Sequence, residues 1–432
     1  MSQATATRVI APARNLLGSL RLPGDKSISH RYALLGGLAH GTTQLENFST
    51  GADPASSLAC VAALGATVER DGASVTIEGC GGRFTPTAEP LDCGNSGSTM
   101  RMLAGLLAAQ EGRYILIGDS SLSRRPMERI RKPLEAMGAR LTPTEGHAPL
   151  TIEGAPLKAI DYTTPVPSAQ VKTAILFAGL QADGVTTVTE AVRTRDHGEI
   201  ALEAFGVKLT RKLDSVSIAG GQQLHGVNAV VPGDISSAAF FLCAAALFPD
   251  SGLLLDNLGL NPTRATLLDV LAGLGARTSV LNLEHRSGEL AGTVQLVAPP
   301  DGLSGATISG ALAAQLIDEL PVLAAIAPYT RHGIRIRDAK ELRVKESDRI
   351  ALVAENLRRM GAEVTEVEDG MDVPGGQRLR GTEIDSGGDH RIAMAFSVAA
   401  LRAEGESTIH GAESADISFP EFFTLLDQVT VR

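Results

Sequence analysis

Six times along this 432-residue chain a small polar cluster opens directly into an apolar, helix-like run. The openings are Pro23-Gly-Asp-Lys-Ser-Ile-Ser-His-Arg31, Gly94-Asn-Ser-Gly-Ser-Thr-Met-Arg101, Pro167-Ser-Ala-Gln-Val-Lys172, Pro232-Gly-Asp-Ile-Ser-Ser237, Asp318-Glu-Leu-Pro321 and Gly388-Asp-His-Arg391. Measured from Gly24, Gly94, Pro167, Gly233, Asp318 and Gly388, the steps are 70, 73, 66, 85 and 70 residues. Ser, Asp and Asn beside Gly or Pro, ahead of an apolar run, mark a helix N-terminus. Such an end exposes free N–H groups and the positive pole of the helix dipole, so it favours anions. Several of these starts also carry Lys or Arg. The pattern predicts one anion-favouring unit used six times.

A second ladder keeps step with the first. Gly65, Gly138, Gly206, Gly275 and Gly361 each follow an apolar helix end and precede an apolar strand entry, as in Ala-Met-Gly138-Ala-Arg-Leu. A Gly there suits the left-handed position that closes a helix. Strand-like pieces with β-branched residues follow at Ala73–Glu78, Pro149–Glu153, Val185–Glu190, Val216–Ala219 and Val294–Val297. A period near seventy residues exceeds any solenoid repeat, so the units are subdomain copies mixing helix and strand.

Composition narrows the function classes. The length predicts two or three domains, and aromatics at 3% with no Trp predict cores of Ala, Leu, Val and Ile. The longest apolar stretch, Ala238–Phe248, is too short to span a bilayer, and Met1–Asn15 holds no signal-like run. The four cysteines lack Cys-x-x-Cys spacing, which favours idle thiols in a reducing cytosol over metal or disulfide. A net charge of −10 disfavours a nucleic-acid binder with a broad basic face. Basic residues cluster all the same, at Arg124, Arg125, Arg129, Arg131 and Lys132 and at Arg343, Lys345 and Arg349. On an acidic surface such clusters focus a positive field for a small anion. Phosphate-loop, zinc-protease, nucleophile-elbow and dinucleotide-binding motifs are all missing. What remains suits polyanion binding with proton transfer by carboxylates and a lysine, without metal or cofactor.

At these residues a resemblance becomes specific. Leu22–Arg31, Gly94–Arg101, Arg125-Pro126, Arg343-Val-Lys-Glu-Ser-Asp-Arg349 and Gly388–Arg391 resemble the 5-enolpyruvylshikimate-3-phosphate synthase family, also called 3-phosphoshikimate 1-carboxyvinyltransferase. The match runs from about Arg21 to Phe423. It implies transfer of the enolpyruvyl group of phosphoenolpyruvate to the 5-hydroxyl of shikimate 3-phosphate, with release of phosphate, on the route to chorismate. The implied fold is α/β with mixed sheets: two domains of three βαβαββ copies each, an inside-out α/β barrel with the active site in the cleft between domains. The first domain is expected at 1–24 plus 233–432 and the second at 25–232. A cytoplasmic monomer is expected, with small anionic substrates and neither nucleic acid nor membrane as partner.

The resemblance also assigns roles. Lys26, Ser27, Arg31, Ser168, Ala169, Gln170, Arg195, Asp318 and Lys345 match positions that hold shikimate 3-phosphate. Lys26, Gly97, Arg125, Gln170, Arg349 and Arg391 match positions around phosphoenolpyruvate. Asp318 matches the base that takes the proton of the 5-hydroxyl, with Glu346 and Lys26 serving proton transfer at C3. The implied path runs through a tetrahedral adduct without a covalent enzyme intermediate. A helix N-cap is the plainer role for Asp318. The herbicide glyphosate occupies the phosphoenolpyruvate site in this family, and members with Ala at the Gly97 position tend to resist it.

Some positions depart from the family. Ile417 stands where some members have a phosphoenolpyruvate-contacting Lys, and Glu341 where those members have an Asn touching the shikimate ring. The related UDP-N-acetylglucosamine enolpyruvyl transferases use a loop cysteine as acid, and Gly118-Asp-Ser-Ser-Leu-Ser-Arg-Arg-Pro126 has none. A non-catalytic anion-binding protein is the rival from another class, and Lys26, Asp318 and Glu346 argue against it.

Overall fold

The computed structural model describes residues 6–432. The chain divides into two compact units. One holds the N-terminal residues up to Pro23, then Pro232–Glu284 and Leu290–Arg432; the other holds Gly24–Val231 and the short segment His285–Glu289. Nothing in the sequence pattern signals that short segment.

One strand order recurs through the sheets. In the second unit Asp161–Thr164 pairs parallel with Val185–Glu190, which pairs antiparallel with Ser215–Ala219, and Leu209–Arg211 flanks the far side. Leu91–Asp92, Arg113–Ile117, His147–Glu153 and Arg140–Thr144 repeat that order. So do Asn228–Val230, Thr42–Glu46, Ser74–Glu78 and Thr67–Asp71. The first unit repeats it with Ala306–Ile308, Ile334–Ile336, Gly370–Val373 and Thr365–Val367. A parallel pair needs a crossover, and a helix supplies it; an antiparallel pair needs only a turn. The βαβαββ order follows from that.

Three copies are completed by strands distant in sequence. Asn228–Val230 lies beside Thr42–Glu46, and Asn15–Arg21 lies parallel to Gly252–Gly259. Asn228–Val230 closes its sheet from the far end of the Gly24–Val231 segment, within the same unit, whereas Asn15–Arg21 and Gly252–Gly259 belong to the first unit on either side of that segment. Thr7–Ile10 likewise pairs antiparallel with Ser407–His410, which runs parallel to Glu383–Asp385. The pairings of Asn15–Arg21 and Thr7–Ile10 with strands beyond residue 232, rather than any linker composition, make the first unit discontinuous.

One helix of each copy starts at one of the six openings: α1 (Lys26–Leu38), α2 (Gly97–Leu107), α3 (Ala169–Gly179), α4 (Ile235–Ala246), α5 (Leu320–Ile326) and α6 (His390–Ala400). Every residue of α4, α5 and α6 is buried. Such helices are apolar all round and sit inside a core rather than on it. Their Ala and Gly content lets backbones approach: a Cβ on Gly105 of α2 would lie 2.2 Å from the Ala174 carbonyl oxygen of α3. Each unit has its own apolar core, the second centred on α1 to α3 and the first on α4 to α6.

Side chains cap five of the six starts. Asp25, Ser96, Ser168, Asp234 and Asp389 accept from the amides of Ile28, Thr99, Val171, Ser236 and Arg391. The exception is α5, whose first flanking residue is Glu319 and which has no side-chain cap. The N-cap role open to Asp318 is therefore not the one it takes.

The glycine ladder holds at all five positions, with φ between 90° at Gly361 and 114° at Gly138. At Gly361 an added Cβ would meet no atom within 4 Å, so Gly361→Ala tests backbone cost alone. The left-handed conformation should cost about 1–2 kcal/mol, read as a lower urea midpoint. An unchanged midpoint would mean that the helix end relaxes freely.

Candidate active site

In the second unit the starts of α1, α2 and α3 carry most of the expected substrate-binding groups. Lys26, at the first position of α1, forms an ion pair with Asp53, which opens the helix Ala52–Ala63. Ser27 is next to it, and its carbonyl accepts from Arg31 Nη1 at 2.9 Å. Arg31 Nη2 donates to Thr173 Oγ1 at 3.1 Å, which ties α1 to α3. Ser168 caps α3, Ala169 is its first residue, and Gln170 follows. Gln170 accepts from Arg101 Nη1 at 2.7 Å and donates to Ser98 Oγ at 2.8 Å, which ties α3 to α2.

Gly97 is the first residue of α2. A Cβ there would sit 2.8 Å from Arg101 Nη1 and 3.5 Å from Arg125 Nη1. The absence of a side chain thus lets two guanidiniums approach the helix start. Arg125 Nη2 donates to Asn95 Oδ1 at 2.6 Å and to Ser121 Oγ at 3.1 Å. Of the basic run after it, Arg131 is occupied on its own helix, 2.7 Å from Glu128 and 2.6 Å from Glu135. That residue belongs to a solvated helix face.

Electrostatics single out Arg31. Burial pushes its guanidinium down to about 10, Glu199 and Asp25 oppose the shift, and the like charge of Arg195 adds to it. Like charges that disfavour each other in this way favour an anion between them.

In the first unit Asp318, Lys345, Glu346, Arg349 and Arg391 come together. Asp318 Oδ1 lies 3.6 Å from Lys345 Nζ, 3.7 Å from Arg349 Nη1 and 3.9 Å from Arg391 Nε. Arg391 Nη1 also donates to the Asp318 carbonyl at 2.8 Å. Arg349 begins the helix Arg349–Arg359, which is capped by Asp348. It is fully buried and forks onto Asp389, with Nε to Oδ2 at 2.8 Å and Nη2 to Oδ1 at 3.2 Å. Glu346 pairs with the same guanidinium. Burial works against charge on both partners. Asp389, Glu346 and Asp318 nonetheless raise the Arg349 pKa, and Arg349 holds the Asp389 carboxyl below the usual aspartate range.

Sequence reasoning missed several members of these clusters. Asp389 and Arg101 lie inside recognised motifs, so a signal for them existed. Asp53 and Thr173 have none, because their relation to Lys26 and Arg31 arises only on folding. Arg343 is occupied by Asp348 at 2.8 Å and Glu366 at 3.0 Å. Ile417 ends a 3-10 turn, half-buried, and brings no charge; Glu341 stands half-buried in the turn Lys340–Val344. The described residues contain no cluster of His, Cys, Asp or Glu suited to a metal ion.

Comparison with known proteins is decisive. The family model for EPSP synthase (3-phosphoshikimate 1-carboxyvinyltransferase) matches residues 10–426. The chain belongs to the EPSP synthase family. A 3-phosphoshikimate 1-carboxyvinyltransferase of Koribacter versatilis is 61% identical over 98% of this chain and 99% of its own length. One from Solibacter usitatus is 52% identical over 97% and 99%. The solved EPSP synthase of Acinetobacter baumannii superposes with a TM-score of 0.86 at 40% identity, covering 98% of both chains. The two-domain enolpyruvyl transferase fold is therefore that of this EPSP synthase family member too.

The Arg349–Asp389 pair gives a test with a defined sign. Arg349→Met leaves a buried carboxylate uncompensated, which should cost about 3–5 kcal/mol. In the parent the depressed Asp389 pKa contributes stability above the ordinary aspartate range, lost as pH falls through the folded value. In the variant the unpaired carboxyl has a raised folded pKa, so acid restores stability instead. The gap between the two proteins should narrow from about pH 7 to about pH 4 in denaturant titrations. A constant gap would assign the loss to packing.

Proposed function

We propose that this chain transfers the enolpyruvyl group of phosphoenolpyruvate to the 5-hydroxyl of shikimate 3-phosphate and releases phosphate. Family membership over nearly the whole length supports the activity. One observation supports the assignment of Asp318: the N-cap of α5 is Glu319, and the Asp318 carboxylate lies 3.6 to 3.9 Å from three cations.

In this reading the α1 and α3 starts bind shikimate 3-phosphate through Lys26, Ser27, Arg31, Ser168, Ala169, Gln170 and Arg195, with Asp318 and Lys345 on the ring side. Lys26, Gly97, Arg125, Gln170, Arg349 and Arg391 take phosphoenolpyruvate, whose carboxylate and phosphate suit planar guanidinium forks. Asp318 accepts the proton of the 5-hydroxyl as its oxygen bonds to C2. C3 gains a proton from Glu346 or Lys26, which gives the tetrahedral adduct. Loss of that proton re-forms the double bond as the C2–O bond to phosphate breaks. Two carboxylates in different surroundings divide acid and base duty. Lys345, 3.6 Å from Asp318, favours the carboxylate needed for the first step. No described helix is long and apolar enough to cross a membrane, and we read the chain as a cytoplasmic monomer.

Phosphate release with both substrates tests the activity; a protein that binds them without releasing phosphate would be an anion-binding protein. Asp318→Asn should lower kcat by about 10²-fold or more while shikimate 3-phosphate binding stays within about tenfold. Normal turnover with weaker binding would make Asp318 a ligand rather than the base.

Gly97 gives a second outcome. A methyl group there would lie 2.8 Å from the end of the Arg101 side chain, which must shift and so perturbs its bond to Gln170. Glyphosate should inhibit the parent in competition with phosphoenolpyruvate. Gly97→Ala should raise the inhibition constant more than it raises the KM for phosphoenolpyruvate. Equal changes in both constants would overturn the steric argument.

A further inference from the structure

The second unit holds a buried charge cluster that no assigned role uses. Lys172 lies on α3, two residues after Gln170, and is 2% exposed. Its Nζ donates to Glu190 Oε2 at 2.7 Å and pairs with Glu199 Oε1 at 2.8 Å. Both carboxylates are buried. Glu190 ends the strand Val185–Glu190, and Glu199 lies in the first turn of the helix His197–Ala204. Arg195 sits in the connection between those two elements.

Glu190 also holds that connection. The Thr194 hydroxyl donates to Glu190 Oε1, and the Thr194 amide approaches Oε2 at 3.5 Å. One carboxylate therefore fixes the residue before Arg195 and, through Lys172, the helix α3 whose start carries Ser168 and Gln170. Glu199 completes the link, because it is the largest attractive charge acting on the Arg31 guanidinium. Arg31 in turn donates to Thr173, the residue after Lys172. Nearby, Asp196 is bridged by Arg193 at 3.2 Å and Arg211 at 3.7 Å, so those cations are engaged beside the cluster.

A buried ion cluster adds little net stability over well-packed apolar residues, and its effect is felt where it constrains geometry. We propose that Glu190 is a positioning residue for the 3-phosphate site: it sets Arg195 against the α3 start so that both meet one phosphate dianion. This rests on the reading of Arg195 and Ser168–Gln170 as phosphate ligands. The substitution that isolates it is Glu190→Gln, which keeps the shape and leaves Lys172 its bond to Glu199.

Calorimetric affinity for shikimate 3-phosphate is the readout, so it does not depend on turnover. E190Q should bind about tenfold more weakly, the scale of a ligand group displaced by a fraction of an ångström. The KM for phosphoenolpyruvate and kcat should each stay within about twofold. In an Arg195→Ala background E190Q should add less than about twofold, because the effect runs through Arg195. Unchanged affinity in E190Q, or additive losses in the double variant, would overturn the proposal. Thr194→Ala, which removes only the hydroxyl, should weaken binding about threefold in the same direction; if E190Q does not fold, unchanged affinity in T194A overturns it alone. A parent that binds shikimate 3-phosphate without turnover would instead overturn the catalytic reading.

Discussion

Burial of helix N-termini is the constraint on which the rest of the structure depends. α4, α5 and α6 are enclosed along their whole length. Each starts with backbone N–H groups that have no partner within the helix, and each aligns its peptide dipoles on that end. Enclosed ends without partners are costly, so the sequence must answer them locally. Asp25, Ser96, Ser168, Asp234 and Asp389 each satisfy one amide. The amides left over and the positive pole favour an anion, and the residues beside them are Lys26, Ser27, Gly97, Gln170 and Arg391. Chemistry and fold thus meet at the same few residues of each copy.

Cations near those ends raise a second problem, since a guanidinium inside a core is expensive unless paired. Arg349 is answered at Nε and Nη2 by Asp389 and Glu346, while its buried Nη1 makes no hydrogen bond and lies 3.7 Å from Asp318 Oδ1. Arg31 is solved only partly: burial lowers its pKa to about 10 and Arg195 adds repulsion, with Glu199 and Asp25 opposing. The Arg349 fork links its helix to the cap of α6. A buried guanidinium short of compensating charge favours a nearby anion. An overall charge of −10 keeps such attraction local, because long-range steering by a broad basic face is absent.

The six openings and the glycine ladder were legible in the sequence because capping and the left-handed turn are local. Their residue types follow from one helix end at a time, and the recurrence near seventy residues made the subdomain copies visible. The strand Val185–Glu190 was readable to the residue for the same reason, its β-branched run ending in a turn. The motifs also named most of the residues that cluster around Asp318. What stayed hidden is non-local. Asn228–Val230 pairs with Thr42–Glu46 across a long stretch of sequence, and no composition encodes that partner. Asp53 and Thr173 meet Lys26 and Arg31 only after helices pack. The cluster of Lys172, Glu190 and Glu199 looks like ordinary charged residues until burial shows otherwise.

Repetition gives the single exception its meaning. Where a unit is used six times, the default at every helix start is an Asp or Ser bonded to its own backbone, and five copies obey it. The start of α5 breaks the rule. Asp318 has the chemistry for a cap, yet its carboxylate turns to Lys345, Arg349 and Arg391, and Pro321 lies in the first turn, where one amide demand is already removed. The surroundings of Asp318 are thus set by side-chain cations, while the N-cap position belongs to Glu319. Departures from local rules concentrate where function outweighs stability, and in this chain the uncapped start is the one that carries Asp318.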